Sequence, residues 1–142
     1  MRTAFLLTAL LAIQATSAFA QQKPNALPAC NGDVAIVRVS EIKPGGMKGF
    51  MDAVAAHKAW YRANGVTDNV IVASRVIVKD EATGAMKYSD TEVITYHIRP
   101  PASDRTPHRG DAAWNAYVKQ YKDTSDIKNE YLTCLPKLTP LK

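Results

Sequence analysis

The chain has 142 residues, and 18 Lys and Arg against 13 Asp and Glu give it a formal net charge of +5 at pH 7. The basic residues are interspersed with acidic ones and form no stripe or run. This pattern argues against a nucleic-acid-binding surface and against a membrane-binding segment. The length suits one domain that is large enough to bury a core.

The N-terminus has the three regions of a secretory signal peptide. Arg2 supplies a short positive start, residues 4–13 form an apolar run, and Ala18-Phe19-Ala20 is a small-residue exit. We therefore predict that residues 1–20 are removed, which leaves Gln21 as the N-terminus of a periplasmic or secreted protein. An uncleaved anchor is the alternative, but the apolar run is too short to span a bilayer.

The chain has two cysteines, Cys30 and Cys134. An exported protein meets an oxidising environment, so we predict that they form a disulfide rather than a metal site or an exchange pair. Leu27-Pro28-Ala29-Cys30 resembles a lipoprotein cleavage box, which would make Cys30 a lipidated terminus instead. The polar stretch at residues 21–25, between the apolar run and this box, argues against lipidation.

The first half of the ordered chain changes between strand-like and helix-like patterns. Residues 33–40 are rich in β-branched side chains, which is typical of a strand inside a sheet. Apolar residues then recur at steps of three and four over residues 47–63, which predicts an amphipathic helix that stops at Asn64-Gly65. Residues 70–79 and 87–98 return to strand composition on either side of a glycine-bearing turn, and they are predicted to form a hairpin.

The second half begins with a proline-rich loop, residues 99–110. Asp111 is placed to cap a second helix. The apolar stripe of that helix consists of Trp114, Tyr117, Val118 and Tyr121. The last segment, residues 128–135, fits both helical spacing and strand alternation, and we predict a strand.

The order strand, helix, strand, strand, helix, strand predicts an α+β domain with ferredoxin-like β-α-β-β-α-β topology, in which two helices cover one face of an antiparallel sheet. The domain is assigned to residues 33–136. A loose arm at residues 21–32 precedes it, and a C-terminal tail at residues 137–142 follows it. Because the last strand of this topology lies antiparallel to the first, Cys30 and Cys134 come within reach of each other.

The residues that carry a resemblance to a known family lie between positions 34 and 98. They are Val37-Arg38-Val39, Ile42-Lys43-Pro44-Gly45, Phe50, and His57-Lys58-Ala59-Trp60-Tyr61-Arg62 before Gly65. With them the chain resembles the dimeric α+β barrels, which include antibiotic-biosynthesis-monooxygenase-like proteins. The resemblance implies a homodimer whose two sheets pack face to face, with a ligand cavity in each subunit. Family members range from cofactor-free oxygenases of aromatic substrates to haem-degrading enzymes, isomerases and domains without known activity, so the resemblance selects no activity.

Alternation along the strands suggests which side chains face such a cavity. Alternate residues of a strand share one face. If the more apolar set faces the helices, Val37 and Val39 point toward them, and Arg38 and Arg75 lie on the opposite, barrel-facing side. There the two arginines could bind a carboxylate, phenolate or enolate in bidentate fashion. Alternatively, the arginines pair with glutamates, reach into solvent or bridge a dimer interface.

The candidates for proton transfer are His97 and Tyr96, which end a strand beside the proline-rich loop. His57 lies at helical spacing with Phe50, and we predict a packed side chain rather than a base. Trp60 is the first candidate for stacking against a planar ligand. The aromatic sets Trp60-Tyr61 and Trp114, Tyr117 and Tyr121 could form a stacking wall, but at helical spacing a core or a dimer interface is favoured. The three histidines lie on different elements without metal-ligand spacing, so we predict no metal site and no cofactor.

Two functional hypotheses follow. The first is an exported, dimeric domain that binds a small anionic or aromatic ligand in a barrel cavity. The second is a cofactor-independent oxygenase or isomerase that acts on a small aromatic or enolisable substrate, with His97 or Tyr96 moving the proton and Arg38 or Arg75 holding the developing anion. We favour the first, because an exported oxygenase has no obvious supply of intracellular intermediates.

Overall fold

The computed structural model describes residues 28–102, 105–106 and 108–137. The predicted signal peptide at residues 1–20, most of the predicted arm at residues 21–32 and almost all of the predicted tail at residues 137–142 lie outside the described residues.

Strands and helices follow one another in the predicted order. The elements are β1 (Asp33–Ile42), α1 (Met47–Ala63), β2 (Val70–Lys79), β3 (Met86–Ile98), α2 (Ala112–Thr124) and β4 (Ser125–Leu135). The strands form one sheet in the order β2-β3-β1-β4, and every neighbouring pair is antiparallel. This arrangement confirms the predicted ferredoxin-like α+β fold.

Both helices pack on the same face of this sheet, because their apolar stripes share one core with it. Core residues from α1 and α2 meet residues from three strands; they are Ile42, Phe50, Val54, Trp60, Tyr61, Val66, Ile71, Val93 and Tyr117. Asp111 caps α2 as predicted, since its carboxylate accepts a hydrogen bond of 2.7 Å from the backbone N–H of Trp114. At the end of α1 the chain turns through Gly65 with a φ of +74°, which favours glycine.

The last segment of the domain is a strand, as predicted. β4 begins at Ser125, immediately after α2, and pairs with β1 along its whole length. The register of this pair shifts between Val39, which pairs with Asn129, and Ser40, which pairs with Ile127. Lys128 is therefore an extra residue of β4. The helical alternative for this segment is therefore excluded.

The helices cover the face of the sheet that was predicted to lie on the opposite, barrel-facing side. Val93 is fully buried in the core beneath the helices, and Ser40 and Arg75 lie directly opposite it in the two neighbouring strands. Because alternate residues share a face, Arg38 also points toward the helices and not toward an outer barrel side.

The outer face of the sheet is apolar as well, which explains the error. Val72, Tyr96, Val37 and Tyr131 lie opposite one another and form a row across all the strands of the sheet. Val72 is 39% exposed and Tyr131 is 52% exposed, so this row faces away from the helices. When both faces of a sheet are apolar, comparing the polarity of the two sets of alternate residues does not identify the face that the helices cover.

Cys30 and Cys134 tie the start of β1 to the end of β4. Their sulfur atoms are 1.98 Å apart and their Cα atoms 5.6 Å apart, which is disulfide distance. The backbones approach closely here, since a Cβ on Gly32 would lie 1.8 Å from the carbonyl oxygen of Leu135. Among the residues that the structure describes, no helix is both long and apolar enough to cross a membrane.

We predict that the double substitution Cys30→Ser and Cys134→Ser lowers the free energy of unfolding by about 2–5 kcal/mol, because the bridge closes a long loop in the unfolded chain. Urea denaturation of the mature protein, followed by circular dichroism with and without reductant, measures the difference. Equal midpoints for the oxidised protein and the variant would contradict the prediction.

Candidate functional site

A cavity of about 310 Å³ lies between the helices and the sheet. The sheet contributes Ile36, Arg38, Ser40, Ile71, Thr95, Tyr96, His97, Ser125 and Ile127 to its wall. The helices and the proline-rich loop contribute Phe50, His57, Tyr61, Pro100, Pro101, Arg109, Trp114, Tyr117, Val118, Tyr121 and Lys122. The cavity therefore belongs to a single chain and lies on the helix-facing side of the sheet.

Stacked rings form the centre of the wall, with His57 of α1 in the middle. The His57 imidazole stacks on the Tyr117 ring, with centroids 4.6 Å apart and an angle of 17° between the planes. Tyr121 and His97 meet His57 edge-on, at centroid distances of 5.9 and 5.5 Å. Such a wall offers faces and edges to a planar ligand.

Arg109, from the proline-rich loop, lines the cavity. Its guanidinium carbon lies 4.7 Å from the centre of the Trp114 ring. Burial raises the pKa of Tyr61 and of Tyr117, and the charge of Arg109 opposes this rise in both. Tyr117 is only 3% exposed, and its hydroxyl has no hydrogen-bond partner among the described residues.

The other arginine, Arg38, comes from the central strand β1. Its Nε donates a hydrogen bond to Oε2 of Glu130, the residue directly opposite in β4. The charge of Arg38 acts on Tyr121, and it is the only charge that lowers the pKa of Tyr121. Arg38 and Arg109 both act on His57 and His97.

The two histidines of the cavity are held uncharged. Burial first, and then the charges of His97, Arg38 and Arg109, lower the pKa of His57 from 6.5 to about 3. Burial, Arg38 and Arg109 lower the pKa of His97 from 6.5 to about 4. Nε2 of His97 accepts a hydrogen bond of 3.2 Å from the Asn69 side-chain amide, which fits a neutral imidazole.

The tyrosines of the wall remain protonated. Burial raises the pKa of Tyr61, Tyr117 and Tyr121 above the ordinary value of 10.0. The hydroxyl oxygen of Tyr121 lies 3.5 Å from Nδ1 of His57. At neutral pH the cavity therefore presents neutral imidazoles, hydroxyl groups and two guanidinium groups.

The described residues that line the cavity include no Asp or Glu. Lys122 adds a third cation at an exposed position of the rim. In the described part of the chain no group of three or more His, Cys, Asp or Glu could hold a metal ion. The donor set suits an organic anion, because the charged groups among the described lining residues are all positive.

The structure brings His97 and Arg38 together in this cavity and separates the other predicted site residues from them. Tyr96 borders the cavity, but alternation turns its side chain toward the outer face, where it lies opposite Val37. Of the two candidates for proton transfer, His97 is therefore the one whose side chain is on the cavity side of β3.

Arg75 and Trp60 do not line the cavity. The Arg75 guanidinium binds the hairpin that carries it, through the Ser89 carbonyl and the Asp90 carboxylate at 3.0 Å each. Trp60 is 4% exposed, and its indole N–H donates to the Asp111 carboxylate at 3.1 Å. Arg75 and Arg38 thus do not converge, and Trp60 has the packed role that the sequence left open.

The sequence offered four of the aromatic wall residues as a possible stacking surface but favoured packing for them; they are Tyr61, Trp114, Tyr117 and Tyr121. His57, which was predicted to be packed, also lines the cavity, and Arg109 was not predicted. Helical spacing was the sequence signal that these rings lie together, because residues four positions apart share one face of a helix. Tyr61 follows His57 by four positions, and Tyr121 follows Tyr117 by four. Nothing in the local pattern of the loop indicated Arg109.

No protein-family model matches the chain, and no curated protein matches its sequence. Three solved structures are similar in fold. A protein described as an antibiotic biosynthesis monooxygenase from Nitrosomonas europaea is 14% identical, with 81% of this chain and 100% of that chain covered and a TM-score of 0.42. Rv0793 from Mycobacterium tuberculosis is 14% identical, with 78% and 100% covered and a TM-score of 0.37. A phage SAM lyase in complex with S-methyl-5'-thioadenosine is 13% identical, with 78% and 97% covered and a TM-score of 0.33. Similarity at this level concerns the fold alone.

We predict that the free energy of unfolding falls as the pH is lowered from about 7 to about 5, by about 1–2 kcal/mol for each buried histidine. Because the folded-state pKa values of His57 and His97 are about 3 and about 4, only the unfolded chain takes up these protons in this range. The stabilisation is thus complete above pH 6.5 and is lost as the pH falls toward 4. Urea denaturation at several pH values measures this slope, and a constant free energy of unfolding would contradict it.

Proposed function

We propose that the protein is an exported domain that binds a small planar aromatic ligand with an acidic group in the cavity between its helices and its sheet. The composition of the wall carries the proposal. Rings and two arginines line the cavity, and the described lining residues include no Asp or Glu. An aromatic anion satisfies both features, because its ring replaces water against the rings and its charge offsets the cations.

The size and the unsatisfied donor support the same ligand class. A volume of about 310 Å³ is at the lower end of the range for small-molecule sites, and suits one or two fused rings. The Tyr117 hydroxyl is buried without an acceptor, which is unfavourable unless a ligand supplies one. In this proposal a carboxylate that binds Arg109 also accepts from Tyr117, since both residues line the same cavity.

Export is part of the proposal, and two features support it. Residues 1–20 have the pattern of a cleavable signal peptide. The pair of cysteines at disulfide distance is compatible with an extracellular protein. The working protein is therefore the chain that begins at Gln21.

A second copy of the chain is proposed to cover the outer face of the sheet. The row formed by Val72, Tyr96, Val37 and Tyr131 is apolar on a face that the helices do not cover. Two such faces packed together would bury these side chains in the manner of the family that the sequence resembles. The ligand cavity of each subunit would then lie behind the interface and not in it.

Catalysis is the second candidate, because two neutral imidazoles line the cavity, although their lowered pKa values make them weaker bases than a free histidine. An uncharged His57 or His97 can accept a proton from a phenol or an enolisable ligand, and a guanidinium can hold the resulting anion. This proton transfer is the first step that an isomerase needs. A cofactor-independent oxygenase needs the same step and then O₂ as the oxidant.

For ligand binding we predict that Arg109→Ala weakens the binding of 2-naphthoate by at least about tenfold, which is the scale of a hydrogen bond to a charged group. Isothermal titration calorimetry measures the dissociation constant. Arg75→Ala is the matched control, because it also removes a guanidinium from the helix-facing side but from outside the cavity. Equal losses in the two variants, or no binding to the wild type, would contradict the proposal.

For the dimer we predict that Val72→Lys gives a monomer in sedimentation experiments at concentrations where the wild type is dimeric. Met51→Lys is the control, because Met51 is 38% exposed against 39% for Val72 but lies on α1. A charge at Val72 would have to be buried in the interface, whereas one at Met51 would stay in water. A monomeric wild type would refute the proposed dimer.

For catalysis we predict that the protein speeds the exchange of the C1 protons of 2-tetralone in D₂O, as followed by NMR. The double substitution His57→Gln and His97→Gln is expected to reduce the rate to that of buffer, because it removes both imidazole proton acceptors of the cavity. Exchange at the buffer rate in the wild type would exclude proton abstraction from this ketone and leave binding as the function.

A further inference from the structure

The two arginines of the cavity differ in what they already bind. No ion-pair partner of Arg109 is present among the described residues, and its guanidinium lies over the Trp114 ring. Arg38 has a carboxylate partner, because Glu130 lies opposite it across the β1–β4 pair and accepts a hydrogen bond from its Nε. The positive charge of Arg38 is therefore partly neutralised before any ligand binds.

The arginines also serve different regions of the cavity. Arg109 lies over Trp114 near the start of α2, whereas Arg38 lies in β1 and pairs with Glu130 of β4. His57 and His97 line the same cavity as both arginines. A planar ligand that stacks in the middle would present one edge to Arg109 and the other to Arg38 and its partner Glu130.

We propose that Glu130 is a specificity-determining residue that restricts the cavity to aromatic ligands with a single acidic group. This inference rests on the proposed function. The acidic group binds at Arg109, which forms no salt bridge with a carboxylate of the described residues. A second acidic group on the far edge of the ligand would meet Arg38 already held by Glu130, and would be repelled by that carboxylate.

The exposure of the pair decides how strong this selection can be. The side chains of Arg38 and Glu130 are 37% and 50% exposed, so water weakens their interaction and the fold does not depend on it. A substitution at Glu130 should therefore change ligand selection without unfolding the protein. Lys122, the third cation near the cavity, is exposed, and salt and water screen its charge.

Two probes with the same ring system test the proposal: 2-naphthoate, with one carboxylate, and naphthalene-2,6-dicarboxylate, with two. We expect the wild type to bind the dicarboxylate no more tightly than 2-naphthoate. In Glu130→Gln the affinity for the dicarboxylate relative to 2-naphthoate should rise by about three- to fivefold, the scale of a partly exposed charge pair. Calorimetric titration of each protein with each probe gives the ratio.

Glu41→Gln is the matched control. Glu41 pairs with Lys128 across the same two strands, but neither residue lines the cavity. The ratio in this variant should equal that of the wild type. If Glu130→Gln does not fold, Glu130→Ala replaces it with the same expected change.

Tighter binding of the dicarboxylate to the wild type would overturn the role of Glu130. An equal ratio in Glu130→Gln and Glu41→Gln would overturn it as well. Both results leave the proposed function standing, because 2-naphthoate still binds. Absence of 2-naphthoate binding to the wild type is a different outcome, and it would overturn the proposed function together with this inference.

Discussion

The register of β1 is the constraint on which the rest of the site depends. β1 lies in the interior of the sheet, between β3 and β4, and its alternation decides which of its side chains meet the helices. With Val93 opposite Ser40, Arg38 points into the space beneath the helices and Val37 points away from them. A slip of one residue would exchange the two, which would remove the cation from the cavity and expose it on the outer face.

Burial then determines the chemical state of the cavity. The same removal of water that makes the stack of His57 on Tyr117 favourable also keeps the imidazole uncharged and the phenol protonated. The result is a cavity whose wall combines two guanidinium groups with neutral imidazole and phenol rings.

The fold followed from local patterns, whereas the site depended on long-range geometry. The β-branched runs and the helical spacing predicted every element, and Asp111 predicted its cap. The final strand was resolved correctly because the antiparallel position of β4 beside β1 brings Cys134 to Cys30. The direction of Arg38 was predicted wrongly, since apolar residues occupy both faces of this sheet and local polarity does not distinguish them. Arg109 was not predicted as a site residue, because it reaches the cavity from a loop whose path no periodicity describes.

The dissociation constant of 2-naphthoate for Tyr117→Phe, with the unfolding free energy of the same variant, tests most directly whether this cavity is built for an anionic ligand. The Tyr117 hydroxyl has no partner within the described chain, so its loss should leave the free energy of unfolding unchanged or higher. If the hydroxyl donates to the ligand, the dissociation constant should rise by about tenfold. An unchanged dissociation constant together with a lower free energy of unfolding would show that the hydroxyl serves the fold alone, and would contradict the account.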